Sequence, residues 1–313
     1  MNGAAAIKPK KKPLWPRIKN YAGFYVFAAI VLAFLVVFHY LPMFGISYAF
    51  TKYTIIKPPI WKGLANFERL FSMPNFWSAF TNTIELSVLK LLLTTGFSVL
   101  LSLLLNEMNN IVGKKLAQTI IYLPHFMSWV VTASVFQLIL SPTTQGLINS
   151  ILLNLGIVDK GIYFLGSSNT WRGAYYVINI WHDTGWGTII FMATLTGIDP
   201  GIYEAAAIDG AGRWKKMWYI TMPALANTII TVLILNLAKI MNLFESVFVL
   251  QNDAVMDVSQ VLQTYVYYQT FNSGGIPDYG YTTAIGLFRS LVGLTLMLIC
   301  NFASKKVRGR GIV

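Results

Sequence analysis

The stretch NIWHDTGWG, from Asn179 to Gly187, sets an amide, an imidazole, a carboxylate and two indoles inside a run otherwise apolar enough for lipid. At about 100° per residue, a helix here brings Asn179, Asp183 and Trp186 to one face, with His182 at its edge. Aromatic rings stack on the apolar faces of sugars, and carboxylates and amides bond sugar hydroxyls, so this face suits a carbohydrate. A hydrogen-bonded patch between membrane helices would use the same residue types, and both readings stay open. A second polar set, Asn236, Lys239, Asn242 and Glu245, recurs every third residue, which makes each the neighbour of the next on a helix. A lysine near the centre of a membrane helix costs about 2.5–3.5 kcal/mol on insertion scales, so Lys239 must face water, cargo or a counter-ion. Contact with cargo and pairing with Asp183 or Glu245 are both open for it, and pairing is the expectation. Lys90 and Arg289 raise the same question. Lys90 is five residues from Glu85, off its helical face, which argues against that pair.

Enzyme chemistry finds little support. His39, His125 and His182 are scattered singly, with no HExxH and no paired acids at useful spacing. A single cysteine, Cys300, excludes an intrachain disulfide framework and a multi-cysteine metal site. No Gly-x-x-x-x-Gly-Lys-Ser/Thr phosphate loop occurs, which is consistent with ATP binding elsewhere. No catalytic residue, metal site or cofactor is expected in this chain.

These residues sit in a chain that is 55% hydrophobic and 12% charged, against about 25% charged in a soluble domain. Its surface cannot be covered by polar groups, and lipid is its solvent. A net charge of +12 would raise nucleic acid in a soluble protein, but here the basic residues cluster beside apolar spans. A spanning helix needs about 20 mostly apolar residues. Segments 21–48, 80–106, 117–140, 174–197, 224–250 and 281–303 qualify, predicting an all-α integral membrane protein with six transmembrane helices. The first span lacks a small-residue cleavage site and reads as retained. Basic tails at 1–20 and 304–313 bracket a first span with its outer loop (21–79) and a core (80–303).

Orientation follows from charge. Lys8, Lys10, Lys11, Lys12, Arg17 and Lys19 precede the first span; Lys114 and Lys115 follow the second; Arg213, Lys215 and Lys216 follow the fourth; Lys305, Lys306, Arg308 and Arg310 end the chain. With six spans these segments share one side, and the positive-inside rule makes it cytoplasmic, with both termini inside.

The 198–223 loop is then a cytoplasmic polar island. Asp199 suits an N-cap and Pro200 a first helical position. Glu204 sits early, where the macrodipole favours an anion. Ala205, Ala206 and Ala207 form helix strongly and are small enough for another surface to approach closely. Asp209-Gly210 supplies a stop, Arg213 to Tyr219 a second short helix, and Pro223 the entry to the next span.

In this string Gly210 lies six residues after Glu204, Ile220 sixteen and Pro223 nineteen, and it resembles the EAA loop of binding-protein-dependent ABC importer permeases. Asn82-Thr83, Tyr122-Leu123-Pro124, Asn179-Ile-Trp181 and the stretch from Asp257 to Arg310 resemble the carbohydrate branch, its polysaccharide and oligosaccharide permeases above all. The resemblance implies ABC type I importer transmembrane architecture. It makes Glu204, Ala205, Ala206, Asp209, Gly210 and Ala211 a coupling helix docked on a separate ATPase that binds ATP and Mg. It implies a second, homologous permease subunit, two ATPase subunits, an extracytoplasmic solute-binding protein and residence in the bacterial cytoplasmic (inner) membrane. Substrate contacts in maltose-type relatives map onto His182, Asp183, Trp186, Asn236, Ile240 and Leu243, beside Lys239. The function expected is import of an oligosaccharide or polysaccharide by alternating access. An ion-coupled secondary sugar transporter, with Asp183, His182 and Lys239 as a proton relay, is the alternative; it leaves the island unexplained. A membrane glycosyl or phosphate transferase is a third class, without a motif to support it.

Overall fold

The computed structural model describes residues 19–272 and 274–308. Lys8, Lys10, Lys11, Lys12, Arg17 and Arg310, on which much of the orientation argument rests, lie outside that range. Helices dominate, as they must where lipid offers the backbone no partners.

Helix α1 (Ala22–Phe50) exposes its apolar side chains along nearly its whole length and meets the bundle at its last turns, Phe44–Phe50. The segment after it is partly a hairpin, which an all-helical reading does not contain. Strands β1 (Thr51–Thr54) and β2 (Lys57–Trp61) pair antiparallel, with Thr51 opposite Trp61 and Thr54 opposite Lys57. Asn66, on α2 (Ala65–Ser72), donates to the carbonyls of Ala49 and Thr51, each at 2.8 Å, and so ties the hairpin to the end of α1.

The next helix, α3 (Pro74–Asn106), begins six residues before the expected span because Pro74 starts it and Phe76 and Ala79 are fully buried. The third span differs from the single helix expected. It runs as α4 (Ile111–Phe126), breaks, and turns by 103° into α5 (Trp129–Ile139). Pro124 withholds an N–H near the end of α4, and Ser128 caps α5, its Oγ accepting from the Val131 N–H at 3.3 Å. A short helix α6 (Leu147–Asn154) leads to α7 (Ser168–Thr196), the 29-residue helix that carries the NIWHDTGWG stretch.

Among the described residues four helices are long and apolar enough to cross a membrane, five with the bent pair. Helix α7 has the length but not the apolar composition. Its place explains this: Trp171, Tyr175, Ile178 and Phe191 are fully buried against neighbours rather than lipid. Close approach is allowed by small residues. A Cβ on Gly187 would collide with the Ser98 hydroxyl of α3, and Ser98 donates to the Thr184 carbonyl at 2.9 Å.

After α8 (Pro200–Ile208) the chain enters α9 (Arg213–Leu237), which stops short of the expected end at 250. Residues 238–244 unwind before α10 (Glu245–Leu250), so Asn236, Lys239, Asn242 and Glu245 form no continuous helical ridge. No proline or glycine causes this. Ile240 and Met241 are buried in one core cluster with Leu70 and Phe76, whereas Leu243 is buried in another with Trp171 and Val247. A regular helix would aim these neighbours around one axis, and the loosened backbone lets them reach two cores. Helices α11 (Leu262–Phe271) and α12 (Tyr279–Arg308) complete the described residues, with Tyr265 and Tyr281 hydroxyls 3.1 Å apart between them.

Candidate functional site

About halfway along α3 and α7, a cavity of about 400 Å³ opens between these helices, the α4 break and the unwound end of α9. Non-helical backbone at such depth is tolerated where it borders a water-filled space, and Lys239, Ile240, Asn242 and Leu243 border this one.

Six of the residues expected on the cargo path line it: Asp183, Trp186, Asn236, Lys239, Ile240 and Leu243. His182 does not. It is 4% exposed and sits behind the wall, stacked on Trp129 with ring centroids 4.1 Å apart. Asn179 shares the helical face of Asp183 but lies a turn away in packed protein, donating to the Tyr175 carbonyl at 2.7 Å. Helical periodicity identifies a face; it does not tell where along that face the cavity ends.

The polar centre of the wall is an ion pair. Lys90 Nζ lies 3.0 Å from Asp183 Oδ2 and 5.4 Å from the Trp129 ring centre. The other oxygen, Oδ1, is 2.6 Å from His182 Nδ1. His182 Nε2 faces the Met127 carbonyl at 3.1 Å and therefore donates to it. His125 Nδ1 stands 3.6 Å from the same oxygen, beyond hydrogen-bond range. His125, His182 and Asp183 offer donor atoms within 4.8 Å of one another, a grouping seen in metal sites, but here Lys90 supplies the carboxylate with its positive partner. This pairing replaces the expected one of Lys239 with Asp183. Among the described residues Lys239 has no carboxylate within 4.0 Å, and Arg289 does not line the cavity.

Trp186 presents a flat apolar surface. His125 stacks on it at 4.9 Å with planes 15° apart, and half of the side chain stays exposed. The wall role of His125 was missed from the sequence; its signal was the adjoining Pro124, which breaks the helix and turns the next residue inward.

Toward the end of the bundle where α3 and α7 begin, Arg172 joins three segments. Its guanidinium pairs with Glu85, donates to Asn82 Oδ1 at 2.8 Å and to the Val258 carbonyl at 3.3 Å. Asn82 in turn donates to the carbonyls of Asp257 and Gln260 at 2.9 and 3.1 Å, and Thr83 Oγ1 accepts from the Leu262 N–H at 2.8 Å. The Asn82-Thr83 dipeptide thus holds the 257–262 segment on the start of α3.

At the other end stands the hairpin of α8 and the start of α9. Asp199 Oδ1 accepts from the Gly201 N–H at 2.9 Å, and Pro200 is the first helical residue. At the far end of α8 the Ala211 N–H bonds the Ala206 carbonyl at 2.8 Å and the Gly210 N–H the Ala207 carbonyl at 3.1 Å, with Gly210 at φ +78°. These are the two bonds of a Schellman stop, which needs a left-handed residue. Tyr203 and Thr221 hydroxyls, 3.0 Å apart, fasten the two arms. Glu204, Ala205, Ala207, Asp209 and Gly210 are exposed, Ala206 and Ala211 partly so, and Ile208 is 87% exposed.

Comparison with known proteins agrees with this arrangement. Residues 98–309 match the family model for the binding-protein-dependent transport system inner membrane component. The polygalacturonan/rhamnogalacturonan transport system permease protein YteP of Bacillus subtilis (strain 168) is 38% identical over 309 residues, covering 97% of this chain and 94% of that protein. A chain from the crystal structure of a bacterial ABC transporter involved in the import of the acidic polysaccharide alginate superposes with a TM-score of 0.86 at 33% identity, over 95% of this chain and all of that one. A chain of a bacterial alginate ABC transporter in complex with an alginate pentasaccharide-bound periplasmic protein gives 0.86 at 32% identity, over 96% of this chain and all of that one. With a family match that covers α7, the hairpin and all of α12, and with a fold shared over nearly its full length, the chain belongs to the binding-protein-dependent transport system inner membrane components, as a multi-pass ABC importer permease subunit and not an enzyme.

Proposed function

We propose that this chain forms one half of the translocation path of an ABC importer for an oligosaccharide, works by alternating access, and is driven through the 204–223 hairpin by a separate ATPase. The hairpin carries this reading. It is capped at both ends, fastened by Tyr203 and Thr221, and extends Ile208 and a row of alanines outward. A rigid element with a small-residue surface and an exposed apolar tip is suited to seat in another protein's cleft. In this reading the hairpin and both termini are cytoplasmic and the chain crosses the membrane six times, with α7 as the protein-packed span.

The cavity supplies the cargo chemistry: one exposed indole, the amides of Asn236 and Asn242, and the hydroxyl of Thr94. Relatives whose named cargoes are polygalacturonan, rhamnogalacturonan and alginate support a carbohydrate. The expected partners are a second permease, two ATPase subunits and a solute-binding protein; the last has a counterpart in the periplasmic protein bound to the alginate transporter. ATP closure of the ATPase pair moves the hairpin and opens the cavity to the binding protein, because each state of the ATPase contacts the hairpin differently. Hydrolysis resets it.

The close approach of His182 Nδ1 to Asp183 Oδ1, 2.6 Å apart at the cavity wall, favours an ion-coupled transporter as a second reading. Uptake into cells whose proton gradient is collapsed while ATP is kept up separates the two. Sustained uptake supports the importer; abolished uptake contradicts it.

A further inference from the structure

We propose that the cargo is anionic, an oligosaccharide bearing uronate-type carboxylates, and that Lys239 is the residue that reads the carboxylate. This rests on the importer reading above and deepens it.

The argument is one of charge. Among the described residues three groups of fixed charge border the cavity: Lys90, Lys239 and Asp183. Lys90 and Asp183 are committed to each other at 3.0 Å. Lys239 is left over, on the unwound segment between α9 and α10, with its side chain exposed to the cavity. Glu245, the nearest acid along the chain, belongs to α10 and does not border the cavity. A single unpaired ammonium at membrane depth costs about 2.5–3.5 kcal/mol on insertion scales. It persists where a bound partner or water meets it, and a passing guest that meets it best is an anion.

The neighbours of Lys239 fit the rest of such a guest. Asn236 and Asn242 flank it with amides for sugar hydroxyls, and Trp186 offers a ring face. A carboxylate gives Lys239 a charge-assisted hydrogen bond. A neutral sugar of the same size instead strips water from the ammonium and returns only weak acceptors, so the site rejects it through the group left unpaired. Asp183 does not oppose the anion, because its charge is already matched by Lys90 and both of its oxygens are engaged.

The test uses the complete transporter, both permeases with the ATPase pair, in nanodiscs without the binding protein, so that only the cavity selects. Binding of a uronate trisaccharide and of its carboxyl-reduced, neutral counterpart is measured by titration. The uronate should bind at least about 10-fold tighter, the worth of a hydrogen bond to a charged group. Lys239→Gln should erase that difference, and Lys239→Arg should restore most of it. Equal binding of the two sugars to the unaltered transporter, or a preference that survives Lys239→Gln, overturns the proposal. If neither of these nor any other oligosaccharide binds, and none stimulates ATP hydrolysis when the binding protein is added, the importer reading itself has failed.

Discussion

Lys90 and Asp183 join α3 to α7 across the middle of the bundle, with the ammonium 3.0 Å from the carboxylate and both side chains about three-quarters buried. They are 93 positions apart in sequence, and each finds its partner on the other helix and not on its own. The pair fixes the relative rotation of the two central helices and sets the net charge of the cavity they enclose.

Removing one partner leaves the other charged and poorly solvated. We expect Lys90→Met to lower the unfolding free energy of the detergent-purified complex by about 1–3 kcal/mol. The double variant Lys90→Met with Asp183→Leu should recover most of that. A double variant that loses the sum of the two single effects would show that the residues do not act as a pair.

Gly210 is held at φ +78° by the two bonds that end α8. A β-branched side chain there adds about 1–2 kcal/mol of strain, confined to the hairpin, since nothing lies within 4 Å of the added Cβ. Gly210→Val should therefore insert and assemble normally while sugar-stimulated ATP hydrolysis falls at least about 10-fold. Hydrolysis at the unaltered rate contradicts a lever role for the hairpin.

Trp186→Ala removes the ring face that the cavity offers and leaves the Lys90–Asp183 pair in place. Uptake of oligosaccharide is expected to weaken about 10-fold, with ATPase assembly unchanged and Trp186→Phe intermediate. Unaltered uptake kinetics would take Trp186 off the cargo path.

Asn82 holds two carbonyls of the 257–260 turn. With Asn82→Ala those acceptors and the Arg172 guanidinium lose a partner, at a cost of about 1–3 kcal/mol. Amide exchange across 253–262 should speed up in the variant while exchange in α8 stays the same. Uniform acceleration along the chain would mean general destabilisation, not a local latch.

How far the sequence was legible depends on the range of the forces involved. The hairpin is local chemistry: Asp199, Pro200 and Gly210 act on their own neighbours, and the structure places cap, first turn and stop at those residues. Four of the six expected apolar spans were equally readable, because lipid selects composition directly, whereas α7 lacks the apolar composition and the third span is bent. The two breaks were not. The one at Met127–Ser128 had a partial signal in Pro124; the unwinding at 238–244 had none, since it comes from Ile240 and Leu243 packing into different cores. Of the polar residues, periodicity put Asn179, Asp183 and Trp186 on one face, as the helix does, but gave no sign that Asn179 lies in packed protein outside the cavity, because depth along a helix is set by its neighbours. The partner of Lys90 was beyond sequence reasoning: Glu85 pairs with Arg172 and Asp183 with Lys90, and both matches cross between helices.

The central claim is that the 204–223 hairpin transmits work from a separate ATPase. A cysteine placed at Ala205, with Cys300 replaced by serine, can be cross-linked in the assembled transporter before and after ATP binding. The account predicts a link to the ATPase subunit whose yield changes when ATP is added, and no labelling of that cysteine by an impermeant reagent applied outside. Labelling from the outside medium, or oligosaccharide accumulation by vesicles that hold the permeases without any ATPase, would contradict it.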